Sequence, residues 1–242
     1  MGTPVIVEIV DFESRNELFD EVFDYFTYVD KKFSTYKDDS EITAINKNMV
    51  MEENWSEDMK EIFRLSDETK KLTNGYFDIQ TPNGSYDPSG LVKGWSIFNA
   101  SNILKNRGVK NFYVEAGGDI ETSGKNEKGE PWCIGIQNPF NEKREVVKKV
   151  YLQGVAMATS GSYVRGEHIY NPKNTKDLLK DIVSLSVIGP NIFEADRYAT
   201  AAFAMGKDGI FFIESLLGFE GYSIDKNGIA TMTKRFTDYT IK

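Results

Sequence analysis

Four stretches of the sequence carry side chains of the kind that bind phosphate or move protons. The first, Asp78-Ile-Gln-Thr-Pro-Asn-Gly-Ser-Tyr-Asp87-Pro-Ser-Gly90-Leu-Val-Lys93-Gly94-Trp95, sets two carboxylates and a lysine around a glycine-rich turn that leads into a helix. Backbone amides exposed at such a helix start suit a phosphate. A surface turn with Asp87 as a cap and Lys93 solvated fits the same local pattern. The second, Glu115-Ala-Gly-Gly-Asp119, ends a strand in two glycines that permit positive φ or close approach of a ligand. It lacks both the G-x-G-x-x-G spacing and a following helix, which speaks against Rossmann-type dinucleotide binding. A tight turn with Asp119 exposed stands beside a ligand-facing turn as its explanation.

The third stretch, Ala156-Met-Ala-Thr159-Ser160-Gly161-Ser162-Tyr163, concentrates hydroxyls ahead of the single histidine, in Glu167-His168-Ile-Tyr-Asn171-Pro172. Any imidazole chemistry therefore has one address, although a lone histidine also fits a hydrogen-bonded core position. Ser160 as a hydrolase nucleophile lacks the G-x-S-x-G elbow. The fourth is Glu194-Ala195-Asp196-Arg197-Tyr198-Ala199-Thr200. On a helix, Asp196 and Thr200 fall one turn apart on one face, so a carboxylate and a hydroxyl reach the same hard cation, and Mg²⁺ suits oxygen donors better than zinc. Helix capping by Glu194 or Asp196 is the competing explanation. It is weakened because a carboxylate in so apolar a segment is costly to bury without a partner.

The elements that would position these residues follow from periodicity. Residues 3 to 10 read as a strand, and Leu18, Phe19, Val22, Phe23, Phe26 and Val29 give helical spacing over 15 to 32. Ser40 to Asn46 predicts a short helical turn, and Ser56 to Thr73 a helix capped by Ser56 and stopped by Asn74-Gly75. Residues 77 to 94 read as a loop by composition, before a helix over Trp95 to Arg107 that Gly108 ends. Strands are expected over 111–115, 132–137, 147–152 and 182–188, with turns at Gly117-Gly118 and Lys125 to Gly129. A buried helix over Ala195 to Gly206, another from Asp208 to Ser215, and a hairpin around Lys226-Asn-Gly228 complete a mixed α+β order without βαβ alternation.

Composition narrows the function classes. With 242 residues, 40% hydrophobic and 27% charged, the chain can bury a full core as one large domain or two fused small ones. One cysteine, Cys133, excludes an internal disulfide framework and a thiolate zinc site. A net charge of −8 argues against a nucleic-acid partner, and no stretch approaches the roughly 18 to 20 apolar residues of a transmembrane segment. The expected address is cytoplasmic as the sequence stands, or extracytoplasmic if an export segment precedes it.

The order of the motifs says more than any one of them. Met1-Gly-Thr, Phe33-Ser-Thr-Tyr36 with Asp39-Ser40-Glu41, Gly75-Tyr-Phe-Asp78, Asp87-x-x-Gly-x-x-Lys-Gly94, Gly117-Gly-Asp119, Thr159-Ser-Gly-x-Tyr163, His168-Ile-x-x-Pro172 and Ala195-Asp-x-x-x-Thr-Ala201 together resemble the ApbE-type FAD:protein FMN transferases. The resemblance covers about residues 1 to 206. It implies a single α+β domain over 1–242 with FAD, as substrate, in a central cleft and Mg²⁺ beside its pyrophosphate. It implies further that FMN passes to a Thr or Ser of an acceptor flavoprotein with release of AMP. Carried onto this sequence, Met1, Tyr36, Tyr76, Phe77, Asp78, Asp87, Lys93 and His168 would contact FAD. Asp196, Thr200 and the carbonyl of Gly90 would hold the metal, and His168 or Asp196 would serve as base.

Two departures stand out: Asn171 replaces the usual Asp of H-I-x-D-P, with Lys173-Asn-Thr175 following Pro172, and Pro88 enters the Asp87 motif. The same residues leave open a Mg²⁺-dependent FAD pyrophosphatase yielding FMN and AMP, and a non-enzymatic FAD-binding protein.

Overall fold

The computed structural model describes residues 2–11, 16–141, 145–161, 170–174 and 181–241. Its helices are α1 (Asn16–Phe33), α2 (Glu41–Asn46), α3 (Glu57–Leu72), α4 (Ser89–Asn106), α5 (Ile192–Ala204) and α6 (Gly209–Ser215). The strands are β1 (Val5–Ile9), β2 (Phe112–Ala116), β3 (Asp119–Ser123), β4 (Trp132–Gln137), β5 (Val146–Leu152), β6 (Ala156–Gly161), β7 (Ile182–Gly189), β8 (Glu220–Asp225) and β9 (Ala230–Met232). Seven strands form an antiparallel sheet in the order β1-β2-β3-β6-β7-β8-β9, and β4 pairs with β5 as a separate hairpin. The mixed α+β class expected from the sequence is the class observed. Among the described residues, no helix is long and apolar enough to cross a membrane.

Strand alternation divides the core between the two sheet faces. Ala156, Ala158, Leu185 and Val187 turn to one face, where Leu18, Val22 and Phe26 of α1 meet Ile97, Ala100 and Leu104 of α4 and the small residues of α5. Met157 and Ile188 turn to the other, under Trp132, Ile134, Ile136, Val150 and Leu152 of the β4–β5 hairpin. A third cluster joins Val29 and Phe33 to α2, α3 and the first turns of α4, through Ile42, Met59, Ile62, Leu91 and Trp95. Each large aliphatic or aromatic side chain among them, fully buried, stabilises the fold by about 1.5–3 kcal/mol relative to exposure.

Local signals set the helix ends. Ser56 Oγ accepts from the Met59 amide (3.3 Å), the expected N-cap, and Ser40 Oγ accepts from the Thr43 amide (3.2 Å) to cap α2. Asn74 and Gly75 take φ of 49° and 78°, so the chain leaves α3 through the left-handed region where the sequence places its stop.

One expectation is corrected and two competing explanations are excluded. The helix foreseen from Trp95 begins six residues earlier, at Ser89, because Gly90 and Gly94 are contact glycines of a packed helix and not loop residues. Asp119 is neither an exposed turn residue nor part of the Gly117-Gly118 turn; it opens β3 and is 0% exposed. Neither Glu194 nor Asp196 caps α5: Asn191 does, its Oδ1 accepting from the Glu194 amide at 2.9 Å.

Candidate active site

The closest approach of two helices builds the floor of the site. A Cβ on Gly94 would stand 2.6 Å from Asp196 Cβ and 2.8 Å from the Ile192 carbonyl oxygen, so only glycine lets α4 lie this near α5. That proximity brings the Gly94 amide to Asp196 Oδ2 (2.7 Å) and Thr200 Oγ1 to the Gly90 carbonyl (3.4 Å). Lys93, between the two glycines, extends towards β3, where its ammonium meets Asp119 Oδ2 at 2.5 Å and lies 3.8 Å from Asp196 Oδ1. Asp119 Oδ1 accepts from the Thr159 amide of β6 at 3.0 Å, so four separate elements meet here.

The electrostatics follow from this crowding. Asp196 is buried, and desolvation pushes its pKa well above the ordinary carboxylate range; the neighbouring Asp119 adds to the rise, while Lys93 and the Gly94 amide oppose it. Glu121 of β3, also buried and raised in pKa by desolvation, accepts from the Ile192 amide at 2.7 Å and from Lys105 at 3.2 Å. It ties the N-terminus of α5 to the sheet and so fixes the turn that presents Asp196. Arg197, the next residue, points away and forms a paired contact with Glu194 that reaches Thr69 of α3.

Above this floor opens a cavity of about 920 Å³. Tyr76, Phe77, Asp78, Asp87, Gly90, Lys93, Asp196 and Thr200 all line it, so eight residues chosen from the sequence converge. Asp78 is held by Lys70 (2.6 Å), and Asp87 Oδ1 accepts from the Ser89 amide (3.0 Å), which shows how Pro88 is accommodated as the residue before the first helical turn. Tyr36 is not among the lining residues: it is 98% exposed, in the turn beyond α1 that Ser40 Oγ closes onto the Ser34 carbonyl (2.7 Å). Met1 and His168 lie outside the described residues.

Other wall residues, among them Tyr113, Ile134, Ile136, Met157 and Tyr170, carry no motif in the sequence, since apolar and aromatic side chains are common to any strand. Ser160 lies within β6, mostly buried, and not on the strand-to-helix elbow of a hydrolase nucleophile. Asn171 turns its Oδ1 to the Lys173 amide (3.0 Å), a local cap that an aspartate would make equally well.

The donors facing the floor are all oxygens: the Asp196 carboxylate, the Thr200 hydroxyl and the Gly90 carbonyl, with Asp119 beside them. Among the described residues two carboxyl groups share the Lys93 ammonium, so an arriving cation would favour the ionised form of Asp196 against its raised pKa, and oxygen-only donors fit Mg²⁺. Among the described residues no group of three or more His, Cys, Asp or Glu gathers, so a cation here would complete its shell from substrate and water.

The sequence profile of the ApbE family matches residues 1–83 and 80–222. The chain belongs to the ApbE family. A curated FAD:protein FMN transferase of Vibrio cholerae is 33% identical over 130 residues, covering 50% of this chain and 39% of that protein. One from Escherichia coli K12 is 27% identical over 161 residues (63% and 46%), and one from Haemophilus influenzae is 24% identical over 274 aligned positions (86% and 79%). The matched region thus spans less than half the length of the first two. Among solved structures, the flavin transferase ApbE of Vibrio cholerae superimposes with a TM-score of 0.84 at 22% identity, covering 99% of this chain and 96% of that one. The ApbE protein of Thermotoga maritima gives 0.85 at 21% identity, over 100% and 97%. At such identities the likeness establishes the ApbE fold.

Proposed function

We propose that this ApbE-family chain is a Mg²⁺-dependent FAD:protein FMN transferase acting as one domain over residues 1–242. It would cleave the FAD pyrophosphate, attach FMN by a phosphoester bond to a Thr or Ser of an acceptor flavoprotein, and release AMP. The observation that carries this reading is the buried Asp196–Lys93–Asp119 group, with Thr200 and Gly90 beside it, on the floor of a cavity large enough for a dinucleotide. The activity named for the curated relatives supports it.

Asp196, Thr200 and the Gly90 carbonyl would hold Mg²⁺, which when bound offsets the charge that gathers on the phosphate oxygens as AMP departs. Lys93 supplies a second positive charge from a water-poor position, its side chain only 17% exposed. Tyr76 and Phe77 line the cavity and would pack against the nucleotide, and the Asp78 and Asp87 carboxylates would accept from its hydroxyl or N–H groups. In the transfer, the acceptor hydroxyl oxygen bonds to the FMN phosphorus and the bridging P–O bond breaks, its electron pair leaving with AMP. The hydroxyl proton passes to a base. Asp196 has Oδ2 engaged by Gly94 and Oδ1 facing Lys93, so His168 is the base favoured in this proposal.

Incubation with FAD, Mg²⁺ and an acceptor domain tests it. The expected products are AMP and an acceptor heavier by one FMN. FMN found only free in solution would make the protein a FAD pyrophosphatase, and tight FAD binding without AMP release a flavin carrier. Turnover that persists in chelator would return Ser160 to consideration. Asp196→Ala should lower AMP release on the order of 100-fold or more; an unchanged rate would overturn the metal assignment.

A further inference from the structure

We infer that Asp119 is a positioning residue that holds the Lys93 ammonium off the oxygen with which Asp196 would bind the cation. The inference rests on the transferase reading for the identity of that cation, and its test reads metal binding without turnover. Asp119 is 0% exposed and anchored at both ends of its carboxylate: Oδ1 accepts from the Thr159 amide at 3.0 Å, and Oδ2 rests against the Lys93 ammonium at 2.5 Å. The Thr159 amide belongs to β6, paired with β7 at Thr159–Ser186, so the carboxylate is held by ladder backbone and the lysine reaches to it.

The same ammonium lies 3.8 Å from Asp196 Oδ1, the outer limit of an ion pair. At equal dielectric the attraction over that distance is about two-thirds of the attraction at Asp119. Asp196 Oδ2 accepts from the Gly94 amide, so Oδ1, facing Lys93 at 3.8 Å, is the oxygen for which the ammonium and a cation would compete. Lysine carries its charge on a flexible four-carbon stem. With Asp119 neutralised, the ammonium would close on Asp196 Oδ1 and become a tethered competitor for the metal. With Asp119 ionised, Lys93 stays beside the metal position and remains available to a phosphate oxygen. One ammonium and one divalent cation can thus share a floor whose two carboxylates are adjacent.

The test is a double-mutant cycle read by Mn²⁺, the paramagnetic stand-in for Mg²⁺, through the loss of the free-ion EPR signal on binding to the full chain without FAD or acceptor. Asp119→Asn keeps the shape and the acceptor for Thr159 while removing the charge; it should weaken Mn²⁺ binding about tenfold. Lys93→Met should bind Mn²⁺ at least as well as the unaltered chain. In the Lys93→Met background, adding Asp119→Asn should change affinity by less than about twofold, because the competitor is gone. An equal loss in both backgrounds would overturn the inference and make Asp119 a metal ligand or a purely structural residue. No loss in Asp119→Asn alone, or no Mn²⁺ binding by the unaltered chain, would overturn it too. Should Asp119→Asn fail to fold, judged by circular dichroism, Asp119→Ser carries the same cycle. An acceptor that gains no FMN, alongside a cycle that behaves as stated, would sink the transferase reading and leave this role of Asp119 standing.

Discussion

Asp196 occupies a position where a carboxylate is costly to keep ionised. It is 2% exposed, with the Asp119 carboxylate beside it and the Lys93 ammonium between them. Its pKa is raised in the folded state, so the folded chain holds a proton that the unfolded chain has already lost. That contribution to stability is fully present below the ordinary carboxylate range and is lost as pH rises through the raised value. Metal binding at Asp196, as proposed, would need the ionised form, so affinity should grow across the same interval. The expected outcome is a thermal midpoint that falls with rising pH in chelator and falls less with saturating Mg²⁺. A chelator profile that is flat across this interval would refute the assignment. At this scale the sequence was partly legible. Asp196 and Thr200 are one helical turn apart, and a period of 3.6 places them together. Lys93 and Asp119 obey no period at all, and only the crossing of α4 over the sheet brings them into contact.

At the scale of elements, the glycines of α4 decide how near α5 can come. Gly94→Ala would drive a methyl into Asp196 Cβ and the Ile192 carbonyl and should cost about 1–3 kcal/mol in a urea titration, with Mg²⁺ affinity falling alongside. Gly90→Ala should cost less, since its nearest neighbour, Thr200 Cγ2 at 3.2 Å, is a side-chain methyl with room to give. The same glycines explain why the start of α4 was misread: Gly and Pro at that density signal a turn unless a partner helix is known to demand them. α1 and α3 were readable because their buried residues, such as Val22 with Phe26 and Met59 with Ile62, keep helical spacing. β3 and β6 were not, because Asp-Ile-Glu-Thr-Ser and Ala-Met-Ala-Thr-Ser-Gly carry buried polar groups where an ordinary strand would show a branched apolar residue.

For the molecule as a whole, the cavity draws its walls from β1, β4, β6, α4 and α5, so filling it should brace the entire domain. FAD with Mg²⁺, each near a hundred times its dissociation constant, should raise unfolding free energy by about 2.7 kcal/mol for each linked site. Asp196→Ala should abolish the Mg²⁺-dependent part while leaving some of the FAD part, and calorimetry with each ligand alone separates the two. An increment that is unchanged in Asp196→Ala would place the metal elsewhere.

The hydrogen bond from Gly94 to Asp196 spans 102 positions of chain. Synthesis runs from the N-terminus at roughly 5–20 residues per second, so a ribosome extrudes α4 about 5 to 20 seconds before the matching part of α5 exists. Throughout that interval the glycine face of α4 has no helix to receive it, and the proposed cation site lacks both Asp196 and Thr200. If the proposed site holds cation and flavin, it can be loaded only after α5 has emerged, and a nascent chain arrested before α5 should release no AMP from FAD.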